Sequence, residues 1–226
     1  MTFRGASRLG LIGGTFNPVH LGHLRAAEEI SEYLELDRVV FMPAYRPPHK
    51  PGANLASFEH RLTMLNLAVE GQPLFCVSDL ESSLSGPSYT VNTLRVVADK
   101  LDEGTTLFFL VGFDSFQSVG KWHENLELFK LASFVVFRRP GLGSELASVR
   151  DLLVQVLSRE AETATEADGQ NGLLTFPGFK PVYYYSDCTL EISSTDLRKR
   201  LDVGTSVRYL VPASVREYIE KNALYH

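Results

Sequence analysis

Residues 9–34 read LGLIGGTFNPVHLGHLRAAEEISEYL, and their pattern decides the fold. Leu9 to Gly13 is a short apolar run that breaks at Gly13-Gly14, the signature of a buried strand bounded by a turn. From Leu21 to Leu34 the apolar positions Leu24, Ala27, Ile30 or Ser31, and Leu34 recur at helical spacing. Between strand and helix lies one connection that carries glycines, a threonine, an asparagine, a proline and two histidines.

Working outward, the same alternation continues. Arg38 to Met42 (RVVFM) reads as a strand stopped by Pro43, and Phe58 to Val69 places Leu62, Leu65 and Val69 on one helical face. Leu74 to Val77 is strand-like, and Tyr89 to Leu101 is helical. Thr106 to Val111 (TLFFLV) and Ser133 to Phe137 (SFVVF) complete the set of buried strands. Near-continuous apolar strands separated by helices imply a parallel sheet covered on both faces. The expected fold is therefore α/β, a doubly wound, Rossmann-like parallel sheet whose ligands sit beyond the carboxyl ends of the strands. Residues 1–226 are read as one domain. Within it, 141–180 stands out as an insertion or flexible loop, an amphipathic run from Ser144 to Ser158 followed by acidic, small-residue-rich Glu160 to Gly172. Proline-rich Pro43 to Ser57 is read as a surface loop.

Bulk properties narrow the function. The chain has 226 residues, 44% hydrophobic and 22% charged, which excludes wholesale disorder. A net charge of -5 without a Lys/Arg-rich run argues against nucleic acid as a partner. Cys76 and Cys188 lie far apart and outside any CxxC spacing, so they are expected to be buried thiols and not a disulfide or zinc set. No apolar run is long enough for a signal peptide or a membrane span. A cytoplasmic globular protein without a membrane partner is the expectation, with a homo-oligomer left open.

The first turn carries the chemistry. Gly13, Gly14, Thr15 and Phe16 offer backbone that a ligand can approach closely. The helix starting near Leu21 turns its amides and positive dipole end toward the same space, which suits phosphate. Neither GxxxxGK[ST] nor GxGxxG is present, which weakens P-loop and dinucleotide-cofactor readings. His20 and His23, at the start of the helix, can both donate to phosphate oxygens. In nucleotidyl transfer, positioning and charge stabilisation carry the rate, so such donors fit. The run GTFNPVHLGH resembles the HxGH signature of the nucleotidyltransferase superfamily, which includes adenylyl- and cytidylyltransferases. Many of its members have Asp where this chain has Asn17. An amide cannot serve as base or anionic metal ligand, so Asn17 is expected to act by hydrogen bonding.

A second anion site is legible near the other end. In Ile192-Ser193-Ser194-Thr195-Asp196-Leu197-Arg198, Ser193 is a good helix cap, and Leu197 with Leu201 continues an amphipathic helix. Hydroxyls and amides of Ser193, Ser194 and Thr195, with Arg198 one turn along, form an anion cradle in which a planar guanidinium can grip two oxygens. The segment resembles the superfamily's ISSTxxR signature. The resemblance implies that His20, His23 and Arg198 are the catalytic set.

The middle of the chain resembles one branch, the nicotinate-nucleotide adenylyltransferases. Pro47-Pro48-His49-Lys50 matches their PPHK loop, which makes His49 and Lys50 phosphate contacts. Ser88-Tyr89-Thr90 matches their SYT segment, whose amides at a helix start suit a carboxylate. Gly112-Phe113-Asp114-Ser115-Phe116 with Trp122 matches GxDSF…W, giving Asp114 to ribose hydroxyls and Trp122 to stacking on a pyridine ring. Arg139-Pro140-Gly141 matches the RPG segment beside the adenine site. The resemblance implies that ATP and nicotinate mononucleotide are the substrates and that deamido-NAD and pyrophosphate form, with Mg²⁺ carried on the ATP phosphates. Nicotinamide mononucleotide stays open as acceptor, opposed only by the 86–90 loop. Phosphopantetheine ranks lower, because its enzymes usually have Thr in place of His20. A nucleotide-binding regulator without turnover would be expected to have lost a histidine or arginine of the two signatures. A dehydrogenase has fold analogy alone behind it.

Overall fold

The computed structural model describes residues 2–47, 55–138, 146–159, 161, 163–167, 171–186, 188 and 190–225. Its strands are β1 (Arg8–Gly14), β2 (Arg38–Pro43), β3 (Phe75–Val77), β4 (Thr106–Gly112), β5 (Ser133–Phe137), β6 (Thr163–Ala167), β7 (Asn171–Thr175) and β8 (Val182–Tyr185). Its α-helices are α1 (Leu21–Tyr33), α2 (Phe58–Val69), α3 (Thr90–Ala98), α4 (Phe113–Phe116), α5 (Asn125–Leu131), α6 (Leu146–Leu157), α7 (Ser194–Asp202) and α8 (Ala213–Lys221).

The strands form one sheet in the order β3-β2-β1-β4-β5-β8-β7-β6. From β3 to β8 every neighbouring pair is parallel, and β7 and β6 add an antiparallel edge. The winding reverses between β1 and β4, so the crevice for a ligand opens at their carboxyl ends, where Gly13-Gly14 and Gly112 lie. The doubly wound architecture expected from the sequence is the one observed.

Alternation along each central strand feeds two cores. Leu9, Leu11, Phe109, Phe134 and Val136 face one core with Leu94 and Val97 of α3, Phe129 of α5 and Leu153 of α6. Ile12, Phe41, Phe108, Leu110 and Val135 face the other, with Ile30 of α1, Leu65 of α2, Leu197 of α7 and Ile219 of α8. Both faces of β4 are buried, which explains why TLFFLV is continuously apolar. This sorting puts α1 and α7 on the same side of the sheet, although the sequence separates them widely.

Three expectations are revised. The stretch Glu160 to Gly172 contains β6 and the start of β7, and the pair extends the sheet through β8. An edge hairpin is fixed by pairing to its neighbour, which composition does not express. Leu74 stays outside β3 and is exposed, so the edge strand is shorter than its apolar run. Cys188 is buried as expected, but Cys76 on β3 is only half-buried, and neither forms a disulfide. Burial pushes the Cys76 thiol above its ordinary value, against the opposing pull of the Arg38 charge. Among the described residues, no helix is long and apolar enough to cross a membrane.

Candidate active site

The first turn is built around two stacked imidazoles. His20 occupies the N-cap of α1 and His23 its third residue, and their rings stack with centroids 3.6 Å apart. The backbone N–H of His20 donates to His23 Nδ1 at 3.3 Å. A neutral His23 that accepts at Nδ1 carries its proton on Nε2, so Nε2 is left as a donor. The edge of this pair rests on Phe16, whose ring meets His23 at 5.0 Å in an edge-to-face arrangement. Phe16 is buried and takes φ 49°, a left-handed conformation that costs a side-chain-bearing residue about 1–2 kcal/mol. Gly22 is required by the same geometry: a Cβ there would lie 3.1 Å from His20 Nδ1. Gly13, at the end of β1, is exposed, so its backbone is open to approach.

The second signature docks directly on the first. Ser194 Oγ donates to the carbonyl of Pro18 at 2.9 Å, and Arg198 Nη1 donates to the carbonyl of Asn17 at 2.8 Å. Ser193 caps α7 as its sequence suggested, accepting from the Asp196 amide at 3.1 Å. Arg198 Nη2 also donates to Thr195 Oγ1 at 3.3 Å, and the remaining N–H groups of its fork stay available to an anion. Ser194 directs its hydroxyl proton to Pro18, which latches α7 to the first turn. Two helix starts, α1 and α7, thus converge on one space with an arginine between them.

A chain of short contacts runs from the first turn toward the start of α3. The Ala44 amide donates to the Gly14 carbonyl at 2.8 Å. Two residues on, Arg46 N–H donates to Ser88 Oγ at 2.9 Å, and Ser88 N–H donates back to the Arg46 carbonyl at 3.0 Å. Tyr89, the N-cap of α3, stacks on His123 with centroids 4.5 Å apart, and Thr90 opens the helix. Trp122 is half-buried, and its indole N–H donates to Ser118 Oγ at 3.0 Å. Asp114 stands exposed at the carboxyl end of β4. Ser88, Tyr89 and Trp122 therefore belong to one neighbourhood, joined through His123, and this neighbourhood is tied to the phosphate cradle through residues 44–46. His49, Lys50 and Arg139 lie outside the described residues.

Three residues that the sequence reading passed over hold this arrangement. Glu81 is buried and accepts from Tyr45 N–H at 3.1 Å and from Thr93 Oγ1 at 2.7 Å, clamping the 44–46 segment to α3. Arg61 is among the largest fully buried side chains, donating to Thr15 O at 2.8 Å and to Ala56 O at 3.0 Å. Burial lowers its pKa, opposed by Tyr225, Glu59 and Glu81 nearby. Tyr225 donates from its hydroxyl to Asn17 Oδ1 at 2.8 Å. A signal existed for Arg61: an arginine beside Leu62 and Leu65 interrupts an apolar helical face, which marks an internal anchor. Glu81 and Tyr225 carry no local pattern.

A doubly wound sheet with two helix starts docked together at its switch point is the type of site that a nucleotidyltransferase uses. The comparisons agree: residues 11–200 match the cytidylyltransferase-like family. A probable nicotinate-nucleotide adenylyltransferase of Geotalea daltonii is 40% identical over 97% of this chain and 98% of its own length. One named likewise, from Geobacter metallireducens, is 40% identical over 96% of this chain and 98% of its own. Among solved structures, Plasmodium falciparum nicotinic acid mononucleotide adenylyltransferase complexed with NaAD superposes with TM-score 0.71 at 18% identity, covering 96% of this chain and 97% of that one. The same enzyme complexed with APC gives TM-score 0.66. The chain belongs to the cytidylyltransferase-like family, within its nicotinate-nucleotide adenylyltransferase branch.

Proposed function

We propose that this chain transfers the adenylyl group of ATP to nicotinate mononucleotide, forming deamido-NAD and pyrophosphate. The observation that carries the reading is the docking of α7 on the first turn through Ser194 and Arg198, which joins the two signatures into one anion cradle. Relatives named for this activity, matching nearly end to end, support the choice of substrates. An oxygen of the mononucleotide 5′-phosphate attacks the α-phosphorus of ATP. A new P–O bond forms, the bond to the bridging oxygen of the β-phosphate breaks, and pyrophosphate leaves with its charge.

His20 and His23 donate to the oxygens around the α-phosphorus, where charge grows in the transition state. The stacked geometry and the Nε2 proton of His23 support that role. Arg198 and the helix start at Ser193 and Thr195 hold the leaving phosphates, and backbone at Gly13, Gly14, Thr15 and Phe16 lines the cradle. His49, Lys50 and Arg139 are assigned to the same polyphosphate and adenine side on their sequence match. Mg²⁺ carried on the ATP phosphates would offset part of their charge, with no protein residue assigned to hold it. On the acceptor side, amides at Ser88, Tyr89 and Thr90 receive the nicotinate carboxylate, Trp122 stacks on the pyridine ring and Asp114 accepts from the ribose. The chain works as one nucleotidyltransferase domain with an insertion at 141–180, whose strands β6 and β7 extend the far edge of the sheet. Two cysteines outside any disulfide suit a reducing cytoplasm.

The test is pyrophosphate release from ATP and Mg²⁺ with nicotinate mononucleotide or nicotinamide mononucleotide as acceptor. Much faster release with the nicotinate form is expected. Equal rates would keep the adenylyl transfer and remove the specificity, and silence with both would remove the reading.

A further inference from the structure

The segment after α8 reaches back to the phosphate cradle, and nothing in the two signatures requires it. Its backbone turns through two left-handed residues that are not glycine, Ala223 (φ 47°) and Tyr225 (φ 69°). Such conformations persist only where surrounding contacts over-determine them. Here the contacts are packing of Leu224 and Tyr225 on the core beneath α1 and α8, and the hydroxyl hydrogen bond to Asn17 at 2.8 Å. Asn17 Oδ1 also accepts from the Ala56 amide at 3.0 Å. Ala56 returns its carbonyl to Arg61, which in turn holds Thr15, so three hydrogen bonds and the chain segment 15–17 close a ring. The backbone carbonyl of Asn17 is the atom that receives Arg198.

We infer that Tyr225 is a positioning residue for adenylyl transfer: its hydroxyl fixes Asn17, and Asn17 fixes where the Arg198 fork and the strained turn at Phe16 point. Tyr225 touches neither substrate in this scheme. Burial keeps the phenol protonated, so it remains a donor, and the Arg198 and Arg61 guanidiniums that face it oppose that shift. The inference rests on the adenylyltransferase reading above and adds to it a residue that the two signatures do not contain. It accounts for how a left-handed phenylalanine is kept at the apex of a catalytic turn. A turn tied at one point could relax; this one is held from residues 56–61, 194–198 and 225 at once.

Tyr225→Phe removes one hydroxyl and keeps the ring packing. The expected result is a kcat lowered about five- to tenfold, the consequence of one lost hydrogen bond at a preorganised site, with KM for ATP and for nicotinate mononucleotide within twofold. Tm should fall by less than about 5 °C. Hydrogen exchange at the Ala56 amide, whose acceptor Asn17 is then held less firmly, should accelerate. A kcat within twofold of the parent overturns the inference, and so does a loss of kcat accompanied by a larger drop in Tm, because that would be general unfolding. If the parent protein is silent with nicotinate mononucleotide, the substrate reading fails on its own; exchange at Ala56 still decides whether Tyr225 braces the turn.

Discussion

Replacing Gly22 by alanine should separate stability from catalysis in opposite directions. Gly22 is the second residue of α1, and its φ is not in the left-handed region, so the backbone accepts alanine. Alanine in a helix is favoured over glycine by about 0.5–1 kcal/mol, which for a chain of this size corresponds to a rise in Tm of up to about 4 °C. Against that gain, the added Cβ would lie 3.1 Å from His20 Nδ1, 3.3 Å from its Cε1 and 3.4 Å from the Leu190 carbonyl. The last is an ordinary contact, but the first two require His20 to retreat by a few tenths of an ångström. It has no slack: the ring is 1% exposed and already stacks on His23 at 3.6 Å. Loss of one preorganised donor at a developing charge costs roughly 10²–10³ in kcat, so a partial displacement should cost at least about tenfold. The assay is pyrophosphate release at saturating ATP and nicotinate mononucleotide, beside a thermal melt of the same preparation. A kcat within twofold of the parent would refute the reasoning. A Tm lowered by more than about 8 °C would also refute it, since the strain would then have been taken up by the helix start as a whole.

Glu81→Ala should unclamp residues 44–46 from α3, raising KM for nicotinate mononucleotide about tenfold while leaving KM for ATP within twofold, in steady-state titrations of each substrate. Trp122 is the only tryptophan, so its emission should be quenched as nicotinate mononucleotide is titrated in; Trp122→Ala should raise KM for that substrate several-fold, and an emission indifferent to the ligand would deny the stacking. Alkaline melts should report on Tyr225. Its folded pKa is raised above the ordinary tyrosine value of about 10, so the neutral hydroxyl stabilises the fold below that pH, and the contribution is lost as pH climbs past it. Tyr225→Phe should flatten the fall of Tm above about pH 10, and an unchanged slope would count against the buried phenol.

Much of the scaffold was legible because local pattern and fold agree. The runs at 106–111 and 133–137 are apolar on both faces, and only a strand in the middle of a covered parallel sheet uses such residues fully. The helical face read over Phe58 to Val69 is α2, whose start is fixed by Ser57, a cap that the sequence reading did not single out and whose hydroxyl accepts from the His60 amide. The spacing of His20 and His23 at one helix start was legible, and it brings their rings into stacking contact. The sequence hid whatever depends on a distant partner. Arg61 shows in the sequence as a break in an apolar helical face, but its partners Thr15 and Ala56 do not. Glu81 looks like part of an acidic turn until Tyr45 and Thr93 close on it. The hairpin β6–β7 exists only because β8 offers an edge, and β8 is itself a short run that no periodicity marks.

The wide spacing of the contacts on the first turn also sets a timetable. Synthesis runs from the first turn toward the C-terminal segments, so Pro18 waits for a partner 176 residues later and Asn17 for one 208 residues later. At typical elongation rates that interval lasts about 10 to 40 seconds. During it, β1, β2 and β4 can assemble, but the cradle for a triphosphate is unfinished. Nascent chains stalled before α7 should therefore be structured and yet unable to hold nucleotide, which makes ligand capture a late checkpoint of synthesis.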